Sequence, residues 1–366
     1  MQQYKNIYFL DWKNEESTAR YHSLSVRYPN VYRINIIESL ANTVRVCAQL
    51  SNLNYFWVVS SLTDYSSFNF EQYSEVGLEP YLQVFGANTW LVSKHHTNLT
   101  PAKYLYLDGF PDIHFTKTNL KSDRKLLDIV YISNGEPDAE NHYQHLLKTA
   151  KAGNKIHRID RIDGRSAAYR AAASVSTTAW FFAVFAKLEV NPDFDWTWHP
   201  DIKNSPMHYI FNAYNPVTGL EYGHMAMIAY NKMLTLETEY TGLDFIMTKA
   251  HDLVPILSGT ARYNQNPIVT WRTAFRECVK LQNNGSEESM ERLHTWLTMG
   301  REDFGNWSIL GAQDAIMYYE SVRGQFDQLL LSYDWAWLNN FFSQRYPGYL
   351  MHTRPQFQLH TQSPNQ

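Results

Sequence analysis

Cysteine is scarce in this chain, with only Cys47 and Cys278 among 366 residues. Two cysteines this far apart cannot build a disulfide framework or a cysteine-based zinc site, and such scarcity is typical of a reducing compartment. No run of about 18 apolar residues occurs, so we expect no transmembrane helix and no membrane partner. The first residues lead directly into a strand-like segment without a signal-peptide pattern, and we therefore expect a cytoplasmic protein.

Signatures of several well-known enzyme classes are also missing. The chain contains no P-loop, no HExxH and no GxSxG motif, so NTPase, zinc peptidase and serine hydrolase activities have no support. It has no excess of positive charge either, because 32 Lys and Arg stand against 36 Asp and Glu, for a net charge of -4. The stretch 148–170 is locally basic, and its pattern fits contacts to DNA phosphates and two solvated helix faces equally well.

What the chain does contain is an internal repeat with a spacing of about 124 residues. Each copy opens with an apolar strand, at Ile7 and at Asp128, and continues through a helical stretch, a short strand and a second helix. Each then reaches an aromatic strand, which begins at Tyr55 and at Trp180. Alternating strands and helices of this kind predict an α/β fold with an internal βαβ-type repeat. After residue 283 helical spacing takes over, which predicts a C-terminal helical region.

Several segments of the second copy carry a family resemblance, namely Arg161–Arg170, Ala179–Glu189, Val190–Asp195, His208–Asn212, Asn215–His224, Val254–Gly259 and Thr270–Glu277. Through them, residues 125–320 resemble the nucleotide-sugar-binding half of GT-A glycosyltransferases, and in particular a phage-encoded group related to the base J glucosyltransferase family. The resemblance implies a GT-A-like (Rossmann-like) fold and a UDP-linked sugar donor. It also implies inverting transfer to 5-hydroxymethyl pyrimidines, such as 5-hydroxymethylcytosine, in double-stranded phage DNA within the host cytoplasm.

The repeat and the resemblance together predict four parts of the chain. Residues 1–115 are expected to form a degenerate GT-A-like repeat, and residues 125–285 the catalytic nucleotide-sugar domain. Residues 286–355 are expected to form a helical cap, and residues 356–366 a flexible tail. Nothing in the sequence indicates the oligomeric state.

One departure from the family pattern bears on the use of a metal. Where the Asp-x-Asp metal motif should follow the aromatic strand, this chain has Phe185-Ala186-Lys187. A lysine ammonium cannot ligate Mg or Mn, but it can neutralise the diphosphate leaving group in place of the metal. We therefore expect metal-independent transfer without a cofactor. The alternative is a Mn or Mg ion held by Glu189 and Asp193.

Other residues are candidates for binding the donor. Arg272 and Arg276 stand four residues apart on one face of an expected helix, where two guanidinium groups can clamp a diphosphate or can pair with Glu277. The remaining candidates are Asp163 and Arg165 beside the small-residue helix, His224 in an expected loop near the sugar, and Ser258 and Gly259, whose expected loop would allow close approach of the backbone to the sugar.

A catalytic base is needed to remove the proton of the acceptor hydroxyl group. Three acidic residues are candidates, and they are Asp244, Glu277 and Asp314. For each of them the plain alternative is a helix cap or a salt bridge.

Two other functions remain open at the level of sequence. The enzyme could act on a glycan or a small molecule instead of DNA. The missing Asp-x-Asp motif also fits a catalytically degenerate sugar- or DNA-binding protein.

Overall fold

The computed structural model describes residues 5–36, 40–72, 82–85, 88–94, 97, 113–116, 120, 125–162, 164–200, 207–237 and 250–349. The chain divides into an α/β unit (Met1–Tyr214 with Glu221–Ala261) and a helical unit (Asn215–Leu220 with Arg262–Gln366). The helical unit begins before the expected boundary at residue 286, because a long helix already follows the last strand. None of the helices in the described ranges is long and apolar enough to cross a bilayer.

The first sheet of the α/β unit has the strand order β2-β1-β3-β5-β4-β6. Its strands are β1 (Ile7–Leu10), β2 (Val31–Ile34), β3 (Tyr55–Ser60), β4 (Leu82–Phe85), β5 (Thr89–Ser93) and β6 (Ile113–Thr116). Strand β1 is parallel to both β2 and β3, whereas β5 runs antiparallel to its neighbours β3 and β4. Two helices connect the parallel strands, α1 (Ser17–Arg27) and α2 (Leu40–Leu50).

The second sheet has the strand order β10-β13-β11-β12-β9-β7-β8. Its strands are β7 (Asp128–Ser133), β8 (Ile156–Asp160), β9 (Trp180–Phe185), β10 (Leu188–Val190), β11 (His208–Tyr214), β12 (Glu221–Asn231) and β13 (His251–Ala261). The helices of this half are α3 (Ala139–Thr149), α4 (Arg165–Val175) and α5 (Lys232–Glu237).

Apart from the short strand β10, the second sheet repeats the first strand for strand. Strands β7, β8 and β9 pair in parallel in the same order as β1, β2 and β3, and β12 is antiparallel to its neighbours, like β5. Strand β13 lies parallel to β11, as β6 does to β4. The expected α/β class and the internal repeat are therefore confirmed, in a molecule with two mixed sheets.

Apolar strands explain why helices cover both faces of each sheet. Ile7 and Phe9 of β1 pack with Leu24 of α1, whereas Leu10 packs on the opposite face with Val44 of α2. In the second sheet α3 and α4 likewise pack on opposite faces of β7. The loops that leave β7 and β8 therefore turn to opposite faces of the sheet.

The helical unit contains α6 (Pro267–Asn284), α7 (Glu287–Thr298), α8 (Gly305–Val322), α9 (Phe326–Leu330) and α10 (Trp335–Arg345). Helix α6 begins after Asn266, whose side chain accepts a hydrogen bond from the Val269 N–H, and ends at Gly285 with φ 66°. Helices α6 and α8 pack so closely that a Cβ at Gly311 would lie 2.3 Å from the Trp271 carbonyl oxygen. The backbones of these two helices form the centre of the unit.

Candidate functional site

Ligands of open α/β sheets bind at the carboxyl ends of parallel strands, so each repeat offers one such edge. In the first repeat part of this edge is covered by the second repeat. The indole of Trp12, just after β1, lies 5.0 Å from that of Trp180 at the start of β9. The Glu15 N–H donates to the Thr177 carbonyl at 2.9 Å, and the Glu15 carboxylate lies 3.4 Å from the Lys155 ammonium. These contacts attach the second repeat to the segment that follows β1.

Charged side chains at the carboxyl ends of the strands in the first repeat form ion pairs with one another. Asp11 is fully buried and lies 2.8 Å from Arg33 and 3.2 Å from Lys13. Burial raises the pKa of the Asp11 carboxyl, but the Lys13 N–H and the charges of Lys13 and Arg33 outweigh it, so the pKa is lowered overall. No pattern in the sequence predicted this buried network of ion pairs.

The equivalent edge of the second sheet carries exposed polar groups. Asp160, at the end of β8, is exposed and accepts a hydrogen bond from the buried hydroxyl of Ser133 at the end of β7. Arg158 donates to Asp160 at 2.9 Å and to Glu140 of α3 at 2.6 Å. The carboxylate is thus held in place at the carboxyl ends of β7 and β8.

The backbone next to Asp160 has two unusual conformations. Arg161 is exposed and has φ 59°, and its N–H donates to the Ser133 carbonyl at 2.9 Å. Gly164 has φ 86° and precedes α4, whose amino end has no side-chain cap. The first N–H groups of a helix attract anions, so this end of α4 suits a phosphate. Arg165 is the first residue of α4, whereas Asp163 lies outside the described residues.

Lys187 lies at the same edge, in the two-residue turn between β9 and β10. Two histidines of α3 hold the backbone on either side of it. His142 Nδ1 lies 2.6 Å from the Ala186 carbonyl oxygen, and His145 Nε2 lies 2.8 Å from that of Val190. Neither histidine could be predicted for this site from the sequence, because only the fold brings α3 beside this turn.

His224 occupies a strand and not the expected loop. It lies in β12, its Nδ1 accepts a hydrogen bond from the Ala226 N–H at 3.0 Å, and its ring contacts that of Tyr222. Because Met227 pairs with Val184 of antiparallel β9, His224 lies toward the end of the sheet that carries Lys187.

The expectation that Ser258 and Gly259 form a sugar-binding loop is wrong. Both residues lie inside β13, where the buried Ser258 hydroxyl donates to the Asn212 carbonyl at 2.7 Å. A Cβ at Gly259 would lie 2.2 Å from the Glu189 carbonyl oxygen of β10. This glycine therefore permits the close approach of two strands to each other.

Arg272 and Arg276, which were expected to clamp the diphosphate, lie in the helical unit. Arg272 and Arg276 share one face of α6, as the spacing predicted, and they stack on the rings of Trp335 and Tyr333. The sequence-based candidates thus divide between the two units of the chain.

Two of the three candidate bases have structural partners, whereas Asp244 lies outside the described residues. Glu277 forms ion pairs of 2.8 Å with both Lys280 and Arg292. Asp314 is buried in the middle of α8, and its carboxylate accepts hydrogen bonds from Trp271 Nε1 (2.9 Å), Arg345 Nε (3.1 Å) and the Tyr346 hydroxyl (2.7 Å). This position fits a structural role for Asp314.

We predict that Asp314→Ala lowers the free energy of unfolding by about 2 kcal/mol, because it leaves the buried Trp271 N–H without its acceptor. Thermal or urea unfolding measures the change. Glu320→Ala is the matched control, since this exposed residue of the same helix makes only a 3.9 Å surface ion pair. Its expected effect is below about 1 kcal/mol. Equal effects of the two substitutions would contradict the structural role.

Within the described ranges, no three His, Cys, Asp or Glu side chains are grouped so that they could hold a metal ion. Glu189, one of the two alternative metal ligands, lies in β10 opposite Thr260 of β13, and Asp193 is exposed in the segment that follows.

Comparison of the chain with protein-family models, with curated proteins and with solved structures finds no match.

Proposed function

We propose that the chain is a glycosyltransferase whose nucleotide-sugar donor binds at the carboxyl edge of the second sheet. One observation carries this assignment. The two repeats have equivalent edges, but that of the first is partly covered by Trp180 and Thr177, whereas that of the second carries Asp160, Arg161 and Lys187. A polar edge at a point where the loops turn to opposite faces of the sheet is the usual position of a nucleotide in α/β proteins.

In the proposed reaction the oxygen of the acceptor hydroxyl bonds to the anomeric carbon, and the bond from that carbon to the diphosphate breaks. The leaving diphosphate gains negative charge, which the Lys187 ammonium and the first N–H groups of α4 would stabilise. In this proposal Asp160 accepts hydrogen bonds from the donor ribose. Asp244 is our candidate for the base that takes the hydroxyl proton, because Glu277 and Asp314 are bound to structural partners.

The proposed acceptor is a 5-hydroxymethyl pyrimidine in DNA, and its support is the sequence resemblance. A base inside a duplex must leave the stack before its hydroxymethyl group can enter an active site. We propose inverting, metal-independent transfer from a UDP-sugar, with Mn or Mg at Glu189 and Asp193 as the alternative. A glycan or small-molecule acceptor is the other candidate in the same enzyme class.

The test is nucleotide release from a panel of nucleotide sugars in the presence of EDTA. Hydroxymethylated duplex DNA, unmodified DNA and no DNA are compared. We expect release that depends on the hydroxymethylated DNA. Release without any dependence on DNA would support a different acceptor, and binding of a nucleotide sugar without release would support a degenerate binding protein. Activity that EDTA abolishes and Mn restores would contradict metal-independent transfer.

A further inference from the structure

Two histidines of α3 donate hydrogen bonds to the backbone at the turn between β9 and β10. His142 Nδ1 lies 2.6 Å from the Ala186 carbonyl oxygen, and His145 Nε2 lies 2.8 Å from the Val190 carbonyl oxygen. Because a carbonyl oxygen only accepts, each of these ring nitrogens carries the hydrogen. The histidines are three residues apart on one face of α3, so this helix contacts the backbone on each side of Lys187.

The first of these contacts has an equivalent in the first repeat. Helices α1 and α3 both have 11 residues, and Arg20 of α1 occupies the position of His142. The Arg20 guanidinium donates to the Ser61 carbonyl oxygen at 2.7 Å, and Ser61 directly follows β3, as Ala186 follows β9. A side chain of the helix therefore holds the residue after the third strand in both repeats, as a structural contact would.

At the position of the second contact the two repeats differ. Ser23 of α1 takes the place of His145, and it lines a cavity of about 230 Å³ together with Tyr65, which lies five residues after the end of β3. In the second repeat Val190 lies five residues after the end of β9, and His145 contacts its carbonyl oxygen. The repeat that carries Lys187 thus has a histidine contact where the first repeat has a cavity.

Two strands also hold the backbone of this segment. The N–H of Ala186 donates to the Ile132 carbonyl oxygen at the end of β7 at 2.9 Å, and the N–H of Asn191 donates to the Ser258 carbonyl oxygen of β13 at 2.8 Å. The backbone around Lys187 is therefore attached to β7, to β13 and to α3, whereas the Lys187 residue itself is half-buried. The Ala186 and Asn191 amides can report on any loosening of the segment.

We propose that His142 and His145 are positioning residues for Lys187. A fixed charge stabilises a leaving group best when it is in place before the bond breaks, and a displacement of about 1 Å can cost about 10²-fold in rate. Two hydrogen bonds from one helix limit the movement of the turn that carries the ammonium. The inference rests on the proposed function, because only a glycosyl donor at this edge gives Lys187 a leaving group to stabilise.

Nucleotide release tests the positioning role. The double substitution His142→Ala with His145→Ala is expected to lower kcat about 10-fold while KM changes less than about 2-fold. In the Lys187→Ala background the same double substitution should have almost no further effect, since no ammonium is left to position. In a merely structural role the two losses would multiply. His142→Asn with His145→Gln should restore most of kcat, because their amide nitrogens can donate in place of Nδ1 and Nε2.

Hydrogen exchange of the Ala186 and Asn191 amides, measured without donor, tests the hold on the turn separately. Both amides should exchange about 5-fold faster in the double alanine variant, as expected for the loss of a hydrogen bond, and at nearly the wild-type rate in the Asn and Gln variant. Gln144→Ala is the matched control, because Gln144 is exposed between the two histidines and donates to Glu140 at 2.9 Å. It should change neither the exchange rates nor kcat.

Unchanged exchange of these two amides in the double alanine variant would overturn the positioning role. Losses of kcat that multiply with the loss caused by Lys187→Ala would overturn it as well. A wild-type chain that releases nucleotide from no donor would overturn the proposed function and, with it, this role. The two kinds of failure are distinguishable, since the first appears only in the variants and the second already in the wild type.

Discussion

Lys187→Ala is expected to lower the rate constant of donor cleavage by about 10²- to 10³-fold, the usual effect of removing one group that stabilises developing charge. Lys187 lies in the turn after β9, where its ammonium would face the diphosphate. The negative charge of the diphosphate increases as the bond to the sugar breaks, so kcat should fall more than KM rises. Nucleotide release at saturating UDP-sugar, measured with EDTA present, gives both constants.

Lys155→Ala serves as the control for this substitution. Lys155 precedes β8 at the opposite edge of the same sheet, and its side chain is 58% exposed. Its removal should leave both kinetic constants close to those of the wild type. Lys187→Arg keeps a positive charge at the turn and should retain much more activity than Lys187→Ala. Equal activity of Lys187→Ala and the wild type would contradict the placement of the donor at this edge.

The repeated sheets could be predicted from the sequence because each buried strand is marked by its own run of apolar residues. A strand that is covered on both faces must be apolar at nearly every position, as Tyr55–Ser60 and Trp180–Phe185 are. Because a helix connects one such strand to the next, neighbouring strands of this part of the sheet are expected to be parallel. The pairing of the antiparallel strands within each repeat was not predicted, since it depends on contacts between distant parts of the chain.

The candidate site was predicted less completely, for reasons that its residues illustrate. Ser258-Gly259 has the composition of a turn, but the close pairing of β10 with β13 requires a glycine within a strand. The contact of Trp12 with Trp180, which partly covers the first edge, joins two segments that no local pattern connects. Lys187 was found only because a family motif was expected at its position, whereas His142 has no such motif.

Gly259→Ala is expected to be the most damaging of the substitutions considered, with a loss of about 4 kcal/mol or more, near the upper limit for single changes. The new methyl group would lie 2.2 Å from the Glu189 carbonyl oxygen, 2.9 Å from Val190 Cα and 3.0 Å from Asn191 N. All three atoms belong to the backbone, so no change of rotamer can relieve the clash. Urea unfolding, or the soluble yield if the variant does not fold, measures the effect.

Gly135→Ala is the control, because it measures the effect of backbone strain without a steric clash. Both glycines have a positive φ, which is 155° at Gly259 and 86° at Gly135. A Cβ at Gly135, however, would meet no atom within 4 Å. An alanine at this position must bear the strain of a left-handed conformation alone, which costs about 1 to 2 kcal/mol. If Gly259→Ala is no worse than Gly135→Ala, then β10 and β13 do not approach each other this closely. The larger loss expected for Gly259→Ala would instead indicate that the close pairing of β10 with β13 holds the segment after Lys187 in the second sheet, because β10 begins directly after that residue.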